Sequence, residues 1–126
     1  MIQPKTILYV SDNSGAKLAT CIKVLGGYKK RYASIGDVVV VSIKSLKVSG
    51  KSVLKVKRGE VCKARVIRTK KSYVSRDGCR TSFGNNSVLL LSKRSGPISS
   101  RVVGPVLRDI KEKYNIKVTH SSAGIV

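Results

Sequence analysis

The chain has 126 residues, with 26 Lys and Arg against 6 Asp and Glu and a formal net charge of +20. A hydrophobic fraction of 41% is too high for a disordered basic tail. Its longest apolar runs, Val38–Val41 and Val88–Leu91, fall far short of the roughly twenty residues of a membrane-spanning helix. What remains is a folded domain with a modest core, whose self-repulsion a polyanion would relieve.

Thr6–Val10 reads as the first strand and begins almost at the N-terminus. Neither an apolar signal-peptide core nor an Arg-rich transit segment precedes it. The expectation is synthesis in the compartment of use, or a leader that this sequence lacks. Asp12-Asn13-Ser14-Gly15 is a turn signal. From Ala16 to Val24, alternation puts Ala16, Leu18, Thr20, Ile22 and Val24 on one face and Lys17 and Lys23 on the other. Gly26-Gly27 opens a loop containing Lys29-Lys30-Arg31. Val38–Leu46 is apolar on both faces and reads as a central strand. Ser49-Gly50 marks a turn, Leu54–Lys57 alternates again, and Arg58-Gly59 marks another turn. From Val61 to Arg68, Cys62, Ala64 and Val66 share a packing face opposite Lys63 and Arg65. Asp77-Gly78 is the strongest hairpin signal. Short strands at near-regular spacing predict a small closed β-barrel, which removes sheet edges. After Gly104-Pro105 the period changes. Leu107, Ile110 and Tyr114 fall on one face of a helix over Val106–Tyr114, with Pro105 in its first turn, and that stripe is expected to dock on the barrel end. Ile116–Val126 reads as an extended tail. The division expected is one domain over 1–126, with the barrel at about 1–92 and a C-terminal loop, helix and tail at about 93–126.

Enzyme chemistry has little to work with. Cys21, Cys62 and Cys79 are odd in number and form no C-x-x-C pair. Each falls in strand-like sequence and reads as a small buried hydrophobe in a reducing compartment. His120 is the single histidine and sits in a Ser-rich tail. The acids Asp12, Asp37, Glu60, Asp77, Asp109 and Glu112 are scattered, and no phosphate-loop spacing occurs. No catalytic residue, metal site or cofactor is expected.

The charge is patterned. Lys51, Lys55, Lys57, Arg58, Lys63, Arg65, Arg68, Lys70, Lys71, Arg76 and Arg80 make eleven cations in one stretch, opposed only by Glu60 and Asp77. Lys29-Lys30-Arg31 is a second cluster, and Lys93-Arg94 with Arg101 a third. Three clusters on a folded core point to nucleic acid. Lys supplies point charges and Arg a planar fork, both suited to phosphate. Tyr9, Tyr28, Tyr32, Tyr73, Phe83 and Tyr114 are few, and most read as core or loop anchors rather than stacking platforms. Structured RNA held by backbone and shape fits better than a single strand. Duplex DNA would call for a recognition helix. A free single-strand or DNA-binding barrel is the second reading, and preference for poly-pyrimidine strands over folded RNA would identify it. A peripheral membrane binder is the third, and it requires liposome association that survives nuclease; no membrane partner is expected.

These residues also resemble a known family. Met1-Ile2-Gln3, Asp12-Asn13-Ser14-Gly15-Ala16-Lys17, Cys21-Ile22-Lys23-Val24-Leu25-Gly26-Gly27 and Arg31-Tyr32-Ala33-Ser34-Ile35-Gly36-Asp37 closely resemble the universal large-subunit ribosomal protein L-fourteen family. So do Lys57-Arg58-Gly59-Glu60-Val61, Arg68-Thr69-Lys70-Lys71, Arg76-Asp77-Gly78, Phe83 with Asn86, and Gly104-Pro105-Val106 with Arg108. The resemblance implies a five-stranded β-barrel, a projecting basic hairpin tipped by Asp77-Gly78, and a short C-terminal helical element. It implies a structural constituent of the large subunit that binds its rRNA and supports assembly. It further implies neighbours L-three and L-nineteen, small-subunit rRNA at an intersubunit bridge, and the ribosome silencing factor. Positions matching the family that are expected to face rRNA are Lys17, Lys23, Arg68, Thr69, Lys70, Lys71, Arg76 and Arg101. The charge clusters add Lys29, Lys30, Arg31, Lys57, Arg58, Lys63, Arg65, Arg80 and Arg94. Arg65, Cys79, Lys93-Arg94-Ser95-Gly96, Ser99-Ser100 and the His120–Gly124 tail depart from the family pattern. Added positive charge with a drifted tail reads as organellar, in the first place a mitochondrial matrix ribosome, with bacterial cytoplasm or plastid as alternatives.

Overall fold

The computed structural model describes residues 1–48, 54–110 and 124–126. Strands β1 (Ile7–Val10), β2 (Ala16–Val24), β3 (Val38–Leu46), β4 (Val61–Arg68) and β7 (Ser87–Leu91) close into a barrel in that order. β1 meets β7 in parallel, and the other four seams are antiparallel. Between β4 and β7 a separate hairpin pairs β5 (Tyr73–Val74) with β6 (Arg80–Thr81). Near the C-terminus β8 (Pro105–Val106) pairs in parallel with β9 (Gly124–Ile125). The small closed barrel expected from the alternation, with the five strands that the resemblance implies, is the observed fold.

β3 and β4 follow their alternation. Val39, Val41 and Ile43 of β3 and Ala64 and Val66 of β4 point into the barrel, where they meet Leu8, Val10, Val88 and Leu90. Each fully buried Val or Leu contributes about 1.5–3 kcal/mol. Small residues at Ala16, Ala19 and Ala64 suit the narrow interior of a five-stranded barrel. β2 departs from the expected face. Its buried residues are Ala16, Ala19, Cys21 and Val24, while Ile22 is 48% exposed. Pairing with β3 shifts register around Leu18 and again between Cys21 and Lys23. Each irregularity of this kind moves the alternation by one residue and bends the strand. Lys17 and Lys23 stay outside.

Leu54–Lys57 is a loop rather than a strand. Val56 is buried in the barrel core, and the Lys55 amide donates to Ser14 O at 3.0 Å, so the loop closes over the β1–β2 turn. All five residues of β7 are buried because the barrel wall there is covered on both sides. Leu89 faces outward into a second cluster with Ile67, Val102, Val106, Leu107 and Ile110. The C-terminal segment therefore packs on the outer wall of β4 and β7, not on the barrel end. Its helical residues begin at 108, and Pro105–Val106 is strand, so Pro105 is not in a first helical turn. Lys51, the Ser49-Gly50 turn, residues 111–114 of the expected helix and His120 lie outside the described residues. Among the described residues no helix is long and apolar enough to cross a membrane.

Candidate nucleic-acid interface

The segment after β4 is fixed by backbone polar groups. The Lys70 amide donates to Asn86 Oδ1 at 2.9 Å, the Thr69 hydroxyl donates to Lys71 O at 2.9 Å, and the Phe83 amide donates to Thr69 O at 3.1 Å. This anchors a turn whose Lys70 and Lys71 side chains are exposed. Arg68 and Thr69, expected to face RNA with them, are buried at 9% and 4% exposure. The Arg68 guanidinium donates to Val103 O, and burial lowers its pKa from the usual arginine value. In the free chain these two side chains hold the fold and do not present charge. The reason is register: the irregularity between Val66 and Arg68 turns Arg68 toward the C-terminal segment.

The basic hairpin stands beyond this turn. The Ser75 amide donates to Cys79 O at 2.9 Å and the Gly78 amide to Ser75 O at 3.0 Å. Gly78 has φ +80, the left-handed residue that completes a three-residue hairpin loop. Arg76 and Arg80 are exposed, and so is Cys79, which is a turn residue rather than the buried hydrophobe expected. At the hairpin base, the Tyr73 hydroxyl donates to Asp109 Oδ2 at 2.9 Å, tying the hairpin to the C-terminal element. Gly78→Val is expected to cost about 1–2 kcal/mol, because a β-branched residue resists positive φ. Hydrogen exchange at the Ser75 amide and at the amide of residue 78, the two donors that close the loop, should accelerate while barrel amides do not. Unchanged exchange there would show that the turn tolerates the substitution.

The second cluster approaches the first. Ile2 pairs with Ala33, and Met1, Ser34, Ile35, Thr69, Lys71 and Tyr73 line one cleft. Burial, and then the Lys71 charge, hold the N-terminal amine below its usual pKa. Lys29 and Arg31 are exposed. Lys30 instead pairs with Asp37 at 2.9 Å, the one ion pair between described residues. Burial alone would raise the Asp37 pKa. The Ser34 amide at 2.9 Å and the Lys30 ammonium outweigh that and hold it below the usual carboxylate value.

On the outer wall, Lys23 and Lys63 flank Val40 across neighbouring strands, so they stand roughly 10 Å apart. Arg65 pairs opposite Val38 and is half-buried. Lys93, of the third cluster, joins Lys63 and Glu60 around a cleft of about 460 Å³ with Val40, Cys62 and Leu91. Arg94 and Arg101 are exposed. Lys57 and Arg58 are exposed in a turn where Glu60 accepts the Lys57 amide at 2.9 Å. Burial, then Glu60 and Asp12, push the Cys62 thiol up to about 11, which leaves it protonated and unreactive. Among the described residues no three acids, thiols or imidazoles gather as a metal site would need.

Two kinds of residue escaped the sequence reading. Asp12 is fully buried, although the Asx-turn spacing to Ser14 could have flagged it. Tyr9, Tyr28 and Tyr32 are 49%, 91% and 46% exposed, against the expected anchoring; only Tyr73 and Phe83 pack among the described aromatics. Compared with models of known protein families, residues 1–126 match the one described as ribosomal protein L14p/L23e.

Proposed function

The chain belongs to the ribosomal protein L14p/L23e family, and we propose that it holds large-subunit rRNA by neutralising phosphates at its exposed basic surfaces. As a member of that family it is a structural constituent of the large ribosomal subunit and acts in translation. One observation supports the phosphate reading above the others. Exposed cations cover the outer wall, the 26–37 loop, the Lys70-Lys71 turn and the hairpin, while the described acids form one ion pair with them. Such charge lacks internal compensation, and rRNA phosphates supply it.

The roles divide by position. Lys17, Lys23 and Lys63 present charge from a rigid wall, with Lys93 and Arg94 beside them. Lys70, Lys71, Arg76 and Arg80 reach out from the turn and hairpin, and Lys29, Arg31, Lys57, Arg58 and Arg101 from loops. Arg65 is half-buried on the same wall, Lys30 acts through Asp37, and Arg68 and Thr69 position the turn. L-three, L-nineteen, small-subunit rRNA at an intersubunit bridge and the silencing factor are the partners this reading adds. Their support is the family resemblance, and a mitochondrial matrix ribosome is the setting that the added charge favours.

Lys70→Ala with Lys71→Ala tests the assignment. In titrations of large-subunit rRNA over a range of salt, the log-affinity versus log-salt slope should flatten by roughly 1.5, or 0.7–0.9 for each phosphate no longer neutralised. An unchanged slope rejects this turn as a phosphate site.

A further inference from the structure

The loop between β2 and β3 contains an aromatic that the fold does not use. Tyr28 is 91% exposed, and its one ring contact among the described residues is with Lys29, whose Nζ lies 5.3 Å from the ring centre. Exposing a tyrosine forgoes burial that the core could have used. The loop around it is nonetheless held in place. Gly26 has φ +99, and Lys29 has φ +52, a left-handed conformation that costs a non-glycine residue about 1 kcal/mol. Lys30 is tied to Asp37, whose carboxylate also accepts the Ser34 amide. Backbone strain of this kind persists where a site must be presented. The sequence Tyr28-Lys29-Lys30-Arg31-Tyr32 places two exposed cations and a second, 46% exposed tyrosine in the same loop.

We propose that Tyr28 stacks on an unpaired base of the rRNA while Lys29 and Arg31 hold the phosphates beside it. This rests on the RNA-binding reading above and adds a different kind of contact to it. An aromatic face attracts a nucleobase whatever its sequence, and a splayed base in a loop or bulge is where structured RNA offers one. The loop charge favours RNA over an apolar protein pocket. The only acid paired with this cluster among the described residues, Asp37, is already taken by Lys30, so Lys29 and Arg31 remain free for phosphate.

Stacking and phosphate neutralisation differ in their response to salt. Stacking releases no counterions, so removing it lowers affinity without changing the salt slope. Full-length protein titrated with protein-free large-subunit rRNA should bind roughly tenfold more weakly as Tyr28→Ala, at an unaltered slope. Tyr28→Phe should stay within about twofold of the parent, because the ring is what matters. Ultraviolet irradiation of the parent complex should crosslink Tyr28 to one nucleotide. Because Tyr28 lies outside both core clusters, neither substitution should lower the unfolding midpoint. Parental affinity in Tyr28→Ala, alongside the flattened slope of Lys70→Ala/Lys71→Ala, would overturn the stacking and leave the phosphate reading intact. Parental behaviour of both variants would overturn both. A flattened slope in Tyr28→Ala, or a crosslink to a neighbouring protein in assembled subunits, would also reject base stacking.

Discussion

Asp12→Ala is expected to lower the stability of the barrel by about 3 kcal/mol, near the upper end of single-substitution effects. Asp12 is fully buried. Its Oδ1 accepts the Ser14 amide at 2.9 Å and the Ser14 hydroxyl, and its Oδ2 accepts the Leu90 amide at 3.1 Å. One carboxylate thus closes the β1–β2 turn and ties it to β7, next to the single parallel seam of the barrel. Alanine leaves two buried backbone donors unpaired, each costing about 1–3 kcal/mol. Removing a desolvated charge returns part of that, which is why the expected loss lies below the simple sum. Asp12→Asn keeps an oxygen for Ser14 but turns an NH2 toward the Leu90 amide, so an intermediate loss is expected. Urea unfolding gives the magnitudes, and hydrogen exchange at Leu90 localises them. Equal urea midpoints for parent and Asp12→Ala would mean that the turn and β7 are held by something else.

The carboxylate shows where the sequence was legible and where it was not. β4 pairs without a shift from Val61 to Val66, so period-two alternation found its buried face there, whereas β3, apolar on both faces, gave no such signal and buries Val39, Val41 and Ile43. β2 bends around the barrel through register shifts, and alternation alone assigned Leu18, Thr20 and Ile22 to a face that they do not share with the core. Leu107 and Ile110 of the expected C-terminal stripe are buried, but on the outer barrel wall rather than the barrel end. The outward side of Leu89 becomes a binding surface only once β7 closes the barrel. Asp12-Asn13-Ser14-Gly15 announced a turn without revealing that one side chain reaches across to a strand 78 positions later.

The charge was legible as a total and as clusters, and its exposure was largely as expected. Arg68 and Tyr28 were exchanged. The arginine, expected at the surface, is buried, and the tyrosine, expected as an anchor, is displayed. Both outcomes depend on tertiary placement: a register shift turns Arg68 under the C-terminal segment, and a left-handed loop lifts Tyr28 off the wall. Residue type alone could not supply either.

The buried arginine leads to the second large effect. Gly104→Ala is expected to cost about 2–3 kcal/mol, in two separable parts. Gly104 has φ +89, where an alanine is strained by about 1 kcal/mol. A Cβ there would also stand 2.7 Å from Arg68 Nη2 and 2.9 Å from Nη1. The guanidinium would have to shift and give up Val103 O, at a further cost of about 1–2 kcal/mol for a charge-assisted bond. Among the described residues Arg68 Nε already lacks a hydrogen-bond partner, so a displaced guanidinium has little there to fall back on. Arg68→Ala alone removes the same bond but also a desolvated charge, and should cost less than Gly104→Ala. In the Arg68→Ala background, Gly104→Ala should cost only the backbone part, which gives a coupling of about 1–2 kcal/mol in a double-mutant cycle. Strict additivity would show that the two residues do not confront each other. The same variants separate architecture from recognition. With its guanidinium inside the fold, Arg68→Ala should leave the salt slope of rRNA binding unchanged, whereas Lys70→Ala/Lys71→Ala flattens it. A slope that flattens by about 0.8 on Arg68→Ala would place that guanidinium on a phosphate in the complex, and its buried position would then belong to the free chain alone.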